Sequence, residues 1–318
     1  MTGIVILNYN NYADLVNCVD SVFSFTPMNM IKVVVVDNGS KEDVKQMVSD
    51  YLSTKFKDEY DEIKVVQDAP SCVTLSIMTH LMLSSNVGYA CGNNAGIDLL
   101  LADKSITEVM ILNSDIIFVE DVISSLVPIL AKNDKIGTIS PLLRKPDGGL
   151  EYCCARRTLS KSDHLRTFSY VFYNRYRRAI DERMILKDSP EVLSCRQVNI
   201  DIPSGACMMF KAETIKAIDR FDKSTFLYYE EDILSKKIQQ HGKINLLIPS
   251  VSCIHVGGAT TNKVKTAYFL KKCNYESLLY YLETYEKCSF LELLYFKLTA
   301  KIRLGRLWLG MIYHKILD

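Results

Sequence analysis

The sequence predicts an α/β fold built on a mostly parallel central sheet flanked by helices. Short runs rich in β-branched residues, such as 4–7, 31–36 and 109–112, alternate with amphipathic stretches of helical length, such as 13–25 and 41–52. This alternation is typical of βαβ units. The runs are almost wholly apolar, which indicates strands that are covered on both faces.

Composition excludes several classes of protein. With 318 residues, 48% hydrophobic and 24% charged, the chain is neither a disordered tail, a collagen-like fibre nor a disulfide-stapled miniprotein. Lys and Arg (38) balance Asp and Glu (37), so the overall charge favours no nucleic acid partner. The ten cysteines include no C-x-x-C pair, which predicts reduced thiols. We find neither a secretory signal pattern nor an apolar run of about 18 residues, and we therefore expect a cytoplasmic protein that is either soluble or peripheral on a membrane.

Polar loops follow four of the predicted strands. They are rich in Asn, Asp, Ser and Gly and comprise residues 8–11, 37–40, 84–88 and 113–115. Any one of them could be an ordinary turn or helix cap. Because ligands of open α/β sheets bind beyond the carboxyl ends of the strands, the four together predict a polar ligand site. Neither G-x-G-x-x-G after the first strand nor a P-loop occurs, which disfavours a dinucleotide oxidoreductase and a P-loop NTPase.

Six separated motifs resemble those of the family 2 glycosyltransferases. They are IVILNYN at 4–10, VVVVDNGS at 33–40, NVGYACGNNAG at 86–96, LNSD at 112–115, FLYYEED at 226–232 and HVGG at 255–258. The resemblance implies a GT-A type fold over residues 1–260 and transfer of a sugar from a UDP- or dTDP-linked donor to a hydroxyl of a glycan or lipid-linked glycan. Within the family, the chain is most similar to the rhamnosyl- and galactofuranosyltransferase-like enzymes of bacterial capsule and lipopolysaccharide assembly.

The resemblance assigns the donor-binding residues to the polar loops. Asp37 corresponds to the acid that contacts the base or ribose, although it could instead cap the following helix. The loop after the first strand would form a wall beside the base. The Gly- and Asn-rich loop would bring backbone NH groups close to sugar or phosphate oxygens. The remaining predicted donor-binding residues are Asn8, Tyr9, Asn10, Asn86, Gly88, Asn93, Asn94 and Asn113.

The motif at 113–115 lies where the family carries its metal-binding D-x-D. Asp115 is therefore the expected ligand of Mg²⁺ or Mn²⁺, which prefer oxygen donors and bridge phosphates. Asn113 replaces the first acid of the motif, so this site carries one negative charge fewer. His255 matches a family histidine that completes the metal site, and the alternative is a structural histidine after a strand.

An acidic triplet supplies the expected catalytic base. Counting back from Gly242 aligns Glu231 with the base of the family, and Asp232 is the alternative. Acidic residues also suit a helix N-terminus without any catalytic role. Clustered carboxylates are expected to raise the pKa of one of them, as a base acting near neutral pH requires.

Two further regions have less specific patterns. Residues 144–200 are rich in Arg with interleaved aromatic residues, and we interpret them as a variable acceptor-side insert. Acidic residues are interspersed and no nucleic-acid-binding motif occurs there.

Residues 261–318 are predicted to be helical. No acidic residue lies between 293 and 317, which fits either a helix on anionic lipid or a helix packed on the catalytic domain or on a second copy of the chain.

The resemblance thus implies an inverting, metal-dependent glycosyltransferase, and two other functions are left open. One is a non-catalytic subunit that binds a glycan or a partner on the same fold, for which the Asn at position 113 would mark lost activity. The other is a nucleotidyltransferase. That enzyme needs a basic, glycine-rich loop after the first strand, whereas residues 8–11 contain neither Lys nor Arg.

Overall fold

A computed structural model describes residues 1–64, 73–166, 178, 180–257 and 264–317. The strands are β1 (Thr2–Asn8), β2 (Ile31–Asp37), β3 (Tyr60–Lys64), β4 (Met78–Met82), β5 (Glu108–Asn113), β6 (Ile116–Phe118), β7 (Ile136–Arg144), β8 (Ala155–Arg156), β9 (Val198–Ile200), β10 (Ile202–Pro203), β11 (Cys207–Lys211) and β12 (Ile244–His255). The α-helices are α1 (Tyr12–Phe25), α2 (Glu42–Phe56), α3 (Tyr89–Ala102), α4 (Val122–Ala131), α5 (Lys161–Arg166), α6 (Ile185–Asp188), α7 (Ala212–Ala217), α8 (Glu230–Gln240), α9 (Val264–Thr284) and α10 (Phe290–Leu317). Short 3₁₀ turns lie at Met28–Met30, Lys57–Glu59, Tyr152–Cys154 and Pro190–Ser194.

The central sheet is mixed, with a parallel half and a half that contains antiparallel pairs. Its strand order is β3-β4-β2-β1-β5-β11-β7-β12-β6, and β9 also pairs with β12. The five strands from β3 to β5 are mutually parallel, as the βαβ pattern predicts. β11 runs antiparallel to both β5 and β7, and β12 runs parallel to β7. A separate two-stranded sheet joins β8 to β10.

Both faces of the central sheet are buried, which explains its apolar strands. Side chains of a strand point alternately to its two faces. In β2, Val33 and Val35 belong to the apolar cluster on one face, and Val34 and Val36 belong to the cluster on the other. Helices therefore cover the sheet on both sides, and the predicted α/β class is confirmed.

The C-terminal segment is helical, as predicted, and α9 and α10 form an apolar cluster of their own with α8. Tyr275, Tyr281 and Phe296 are buried in this cluster together with Ile233 of α8. None of the helices in the described ranges is long and apolar enough to cross a membrane. Part of the predicted insert, residues 167–177 and 179, lies outside the described residues.

Candidate active site

The polar ends of three parallel strands lie side by side at one edge of the sheet. Asn8 at the end of β1 is opposite Asp37 at the end of β2. On the other side of β1, Leu7 is opposite Asn113 at the end of β5. The structure thus brings together three of the residues that the sequence predicts for the donor site.

Asn8 and Asp37 carry polar atoms that have no partner in the protein. Both residues are fully buried. The Asp37 Oδ1 atom accepts a hydrogen bond of 2.8 Å from the backbone N–H of Ser40, but its Oδ2 atom and both polar atoms of the Asn8 amide have no hydrogen-bond partner. Burial raises the pKa of Asp37, although the hydrogen bonds from Ser40 act in the opposite direction. A buried polar group without a partner costs about 1–3 kcal/mol, so a ligand that supplies the missing bonds would be held here.

Asp37 does not cap the following helix, which was the alternative role for this residue. Helix α2 begins after Lys41, and no side chain caps it. Asp37 instead closes the tight turn to Ser40.

Asn10 connects the loops that follow β1 and β2. Its backbone N–H donates to the Oγ atom of Ser40, and its Oδ1 atom accepts from the backbone N–H of Lys41, both at 2.8 Å. Asn10 has a φ of 53°, a left-handed conformation that Asn tolerates better than most residues. The preceding Tyr9 has an exposed side chain. The two loops therefore form one rigid unit with an aromatic ring open to solvent.

Asn86 and Gly88 shape the loop that leads into α3. The Asn86 Oδ1 atom accepts from the backbone N–H of Gly88 at 2.9 Å and from the Nδ2 atom of Asn38 at 3.2 Å. Gly88 has a φ of 87°, and a Cβ atom built there would lie 2.4 Å from the carbonyl oxygen of Phe226. Only glycine fits this position. Asn38, which the sequence analysis did not assign to the site, also accepts from the backbone N–H of Val87 at 3.0 Å and thus ties this loop to β2.

The two asparagines of α3 have structural contacts. The Asn94 amide donates to the carbonyl oxygen of Phe221 at 2.8 Å and accepts from its backbone N–H at 3.0 Å. Asn94 thus fixes the segment before α8, and both ends of its amide bond to the backbone of Phe221. Asn93 donates to the carbonyl oxygen of Tyr89 at 3.0 Å, and its Oδ1 atom is buried without a partner.

Asp115 and His255 meet in space, as the sequence predicts, and a second acid joins them. The His255 Nε2 atom lies 3.4 Å from a carboxylate oxygen of Asp115. The Nδ1 atom is 2.6 Å from the carboxylate of Glu151. Glu151 could not be found from the sequence, because it lies in no motif and is 104 positions from His255.

The three side chains form an ionic network. Burial acts to lower the pKa of His255, but its contacts with Asp115 and Glu151 outweigh burial and raise that pKa to about 10. Burial likewise acts to raise the pKa of Glu151, but hydrogen bonds from His255 and Cys153 hold it below its usual value. The carboxylate of Glu151 thereby fixes the orientation of the imidazole ring, as carboxylates do for metal-binding histidines.

The donor set at this position fits a divalent cation that also binds phosphates. Within the described ranges, no three or more His, Cys, Asp or Glu side chains are arranged as a metal site by themselves. Mg²⁺ sites in phosphate enzymes commonly use one or two carboxylates and take the remaining ligands from substrate phosphates and water. Asp115 would supply the carboxylate, and the Nε2 atom of His255 lies 3.4 Å from it. This nitrogen can bind a cation only after it releases the proton that the two carboxylates hold on the imidazole.

Glu231 lies at the start of α8 and faces a cavity of about 620 Å³ that Asn113 and His255 also line. Its side chain is 24% exposed and forms an ion pair with Arg156 of β8. The backbone N–H of Gly205 donates to the other carboxylate oxygen. Tyr228 and Tyr229, just before α8, have φ angles of 73° and 68°. Such left-handed residues cost of order 1–3 kcal/mol each and cluster at functional sites.

Asp232, the alternative base, is placed differently. Its side chain is only 5% exposed and pairs with Arg183 and, at 3.9 Å, with Arg156. Burial acts to raise the pKa of Asp232, but the two guanidinium groups hold it below its usual value. Asp232 is thus part of a buried ion pair, and Glu231 is the more exposed of the two candidate bases. Both arginines come from the Arg-rich insert, whose composition was the only sequence signal for them.

The raised pKa expected in the acidic triplet belongs to Glu230. Burial raises the pKa of Glu230 to about 8, and the neighbouring Glu231 and Asp232 add to the shift. The Oε1 atom of Glu230 is buried without a partner. One carboxylate of the cluster thus has a raised pKa, as expected, but burial is the larger cause and the like charges are secondary.

Glu230 should make the protein less stable as the pH rises. Its pKa is near 4.3 when unfolded and about 8 when folded, so the folded state binds the proton more tightly. Stability from this group is complete below about pH 4 and is lost as the pH rises through 8. We expect Glu230→Gln to remove this loss and to raise the free energy of unfolding at pH 8 by roughly 2–4 kcal/mol, measured by urea denaturation between pH 5 and 8. Glu59→Gln, at an exposed turn, should keep the wild-type dependence of the free energy of unfolding on pH. The same pH dependence in Glu230→Gln and Glu59→Gln would contradict a raised pKa at Glu230.

Comparison with known proteins agrees with this architecture. Residues 3–69 match the model of Glycosyl transferase family 2. The fold is similar to that of GalNAc-T7, solved with UDP, GalNAc and Mn²⁺, with a TM-score of 0.57 and 15% identity over 88% of this chain and 49% of that chain. The chain thus spans about half the length of GalNAc-T7.

A mannosyltransferase, PcManGT from Pyrobaculum calidifontis, is also similar. It was solved with GDP-Man and Mn²⁺ and gives a TM-score of 0.54 with 15% identity over 100% of this chain and 75% of that chain. No curated protein sequence matches the chain. The protein therefore has the GT-A fold of these glycosyltransferases, and its first strands and helices match the family 2 model.

Proposed function

We propose that the protein is a glycosyltransferase that moves a sugar from a nucleotide-diphosphate donor to a hydroxyl of a glycan or lipid-linked glycan. One observation supports this above the others. Glu231 lines the same cavity of about 620 Å³ as Asn113 and His255. A candidate base therefore faces the place where a diphosphate leaving group would be held.

The strand-end loops form the proposed nucleotide site. The free oxygen of Asp37 and the amide of Asn8 would bond to NH and OH groups of the base and ribose. The exposed ring of Tyr9 provides a surface for the base. We propose UDP or dTDP as the nucleotide. GalNAc-T7 was solved with UDP, whereas PcManGT was solved with GDP-Man, so the fold accommodates both kinds of base.

Asp115 and His255 would hold Mn²⁺ or Mg²⁺, with Glu151 fixing the imidazole. Both structurally similar enzymes were solved with Mn²⁺. When bound, such a cation neutralises the charge that develops on the departing diphosphate.

Glu231 would take the proton of the acceptor hydroxyl. The acceptor oxygen then forms a bond to the anomeric carbon while the bond from that carbon to the diphosphate oxygen breaks. If Glu231 acts from the side opposite the leaving group, the reaction inverts the anomeric centre. Arg156 and the backbone of Gly205 keep the carboxylate of Glu231 in place.

Only the sequence motifs support a proposal about the subgroup and the biological role. They support membership of the rhamnosyl- and galactofuranosyltransferase-like group and a role in bacterial surface polysaccharide assembly. In that role the protein would work on the cytoplasmic side of the membrane.

A thermal-shift panel tests the proposal. UDP, dTDP, GDP and CDP are each added with Mn²⁺, Mg²⁺ or EDTA. A ligand of the native state stabilises it by mass action, by about 2.7 kcal/mol at 100 times Kd. We expect a rise in Tm of a few degrees with UDP or dTDP that EDTA abolishes. If none of the four nucleotides changes the Tm, the result would oppose a transferase and favour the non-catalytic subunit.

A further inference from the structure

Helix α10 has an exposed apolar face along most of its described length. We call it the apolar stripe, and its members Leu291, Leu298, Ile302 and Leu309 are 73%, 54%, 54% and 59% exposed. At about 100° per residue they fall within an arc of about 40° and extend roughly 27 Å along the helix. The opposite face of α10 packs onto α9 through Phe296 and Ala300. The apolar stripe is therefore not part of the core, and soluble monomers rarely expose a contiguous surface of this kind.

Positive charges border the apolar stripe on both sides. By helical geometry, Lys297 and Lys301 lie along one edge and Arg306 lies along the other. The sequence from residue 293 to residue 317 contains no Asp or Glu. An apolar face between basic borders is typical of a helix that lies in the interface of an anionic membrane.

We propose that α10 docks the protein on an anionic membrane surface, with the apolar stripe in the lipid and the basic residues at the head groups. The borders favour lipid over a second copy of the chain, because a copy packed on this face would bring like charges together. Each basic residue near an anionic surface contributes about a fivefold gain in affinity.

The docked helix also borders the candidate active site. Arg303 of α10 and Lys271 of α9 line the cavity that contains Glu231. An acceptor anchored in the membrane would therefore reach Glu231 along the helix pair that rests on the same membrane. This consequence rests on the proposed function and selects a lipid-linked glycan as the acceptor.

Vesicle flotation of the full chain tests the docking. The vesicles contain phosphatidylcholine alone or with 30% phosphatidylglycerol. We expect the wild type to float with the anionic vesicles, Lys297→Gln/Lys301→Gln to bind them about 30-fold more weakly, and Leu298→Gln/Ile302→Gln to lose binding. The matched control removes two exposed lysines of the catalytic fold, Lys132→Gln/Lys135→Gln, and should bind like the wild type.

Three outcomes would overturn the docking. The wild type does not bind anionic vesicles, or Lys297→Gln/Lys301→Gln binds them as well as the control Lys132→Gln/Lys135→Gln does. The third is a lipid-free dimer in sedimentation that Leu298→Gln/Ile302→Gln dissociates. The Tm of each variant shows that it is folded. The nucleotide-dependent rise in Tm is measured on the same samples. Loss of that rise concerns the proposed function, whereas loss of flotation with the rise retained concerns only the docking.

Discussion

Replacing Glu231 with Gln is expected to lower kcat by about 10²–10⁴-fold while leaving donor affinity unchanged. Gln keeps the size of the side chain and an oxygen that accepts from the backbone N–H of Gly205, but it cannot take a proton from the acceptor. Arg156 keeps a carboxylate partner in Asp232 at 3.9 Å, so the fold should survive. Initial rates at saturating donor give the change in kcat, and the nucleotide-dependent rise in Tm reports donor binding.

Two variants make this result specific. Glu213→Gln alters an exposed acid on α7 and should leave kcat unchanged. Asp232→Asn leaves Arg183 without its buried carboxylate, and breaking such a pair typically costs about 3–5 kcal/mol. It should therefore lower Tm. If Asp232→Asn were stable but inactive while Glu231→Gln kept its rate, Asp232 would be the base.

The parts of the site that the sequence predicted are those in which position along the chain determines position in space. Residues at the carboxyl ends of parallel strands must lie at one edge of the sheet, and so Asn8, Asp37 and Asn113 are neighbours. The four valines of β2 likewise had to divide between the two faces. Local pattern is sufficient for such features because the strand period and the sheet topology fix them.

The contacts that the sequence could not predict join distant segments without a periodic signal. Glu151 is in a loop with no motif, and only the fold places it against His255. Arg156 is 75 positions from Glu231 and was one of many arginines in the insert. The adjacent Asn93 and Asn94 look alike in sequence, but helix geometry turns Asn94 toward Phe221. Their roles depend on tertiary packing, which a single sequence does not encode locally.

Replacing Asp115 with Asn is expected to weaken Mn²⁺-dependent donor binding by at least about 100-fold, because the amide has no charge and is a poorer ligand of a hard cation. The affinity for Mn²⁺ is measured by electron paramagnetic resonance, and the affinity for the nucleotide is measured by calorimetry with Mn²⁺ and with EDTA. Glu151→Gln should have a smaller effect, about 10–100-fold, since it acts only by orienting His255. Asp58→Asn, at an exposed turn, is the control and should match the wild type.

The order of these effects distinguishes a metal site from an ion pair that only stabilises the fold. In the ion-pair case, Asp115→Asn and Glu151→Gln would both lower Tm, since each partner of His255 is lost, and nucleotide affinity in Mn²⁺ would equal that of the wild type. In the metal-site case, the affinity for the nucleotide in EDTA is the same for all variants. Only the increase in nucleotide affinity that Mn²⁺ produces becomes smaller, and it falls most for Asp115→Asn. In the family 2 motif that residues 113–115 resemble, the first position is a carboxylate, and this chain has Asn113 there. Asp115 is thus the only acid left in this motif, and its removal should abolish most of the metal dependence.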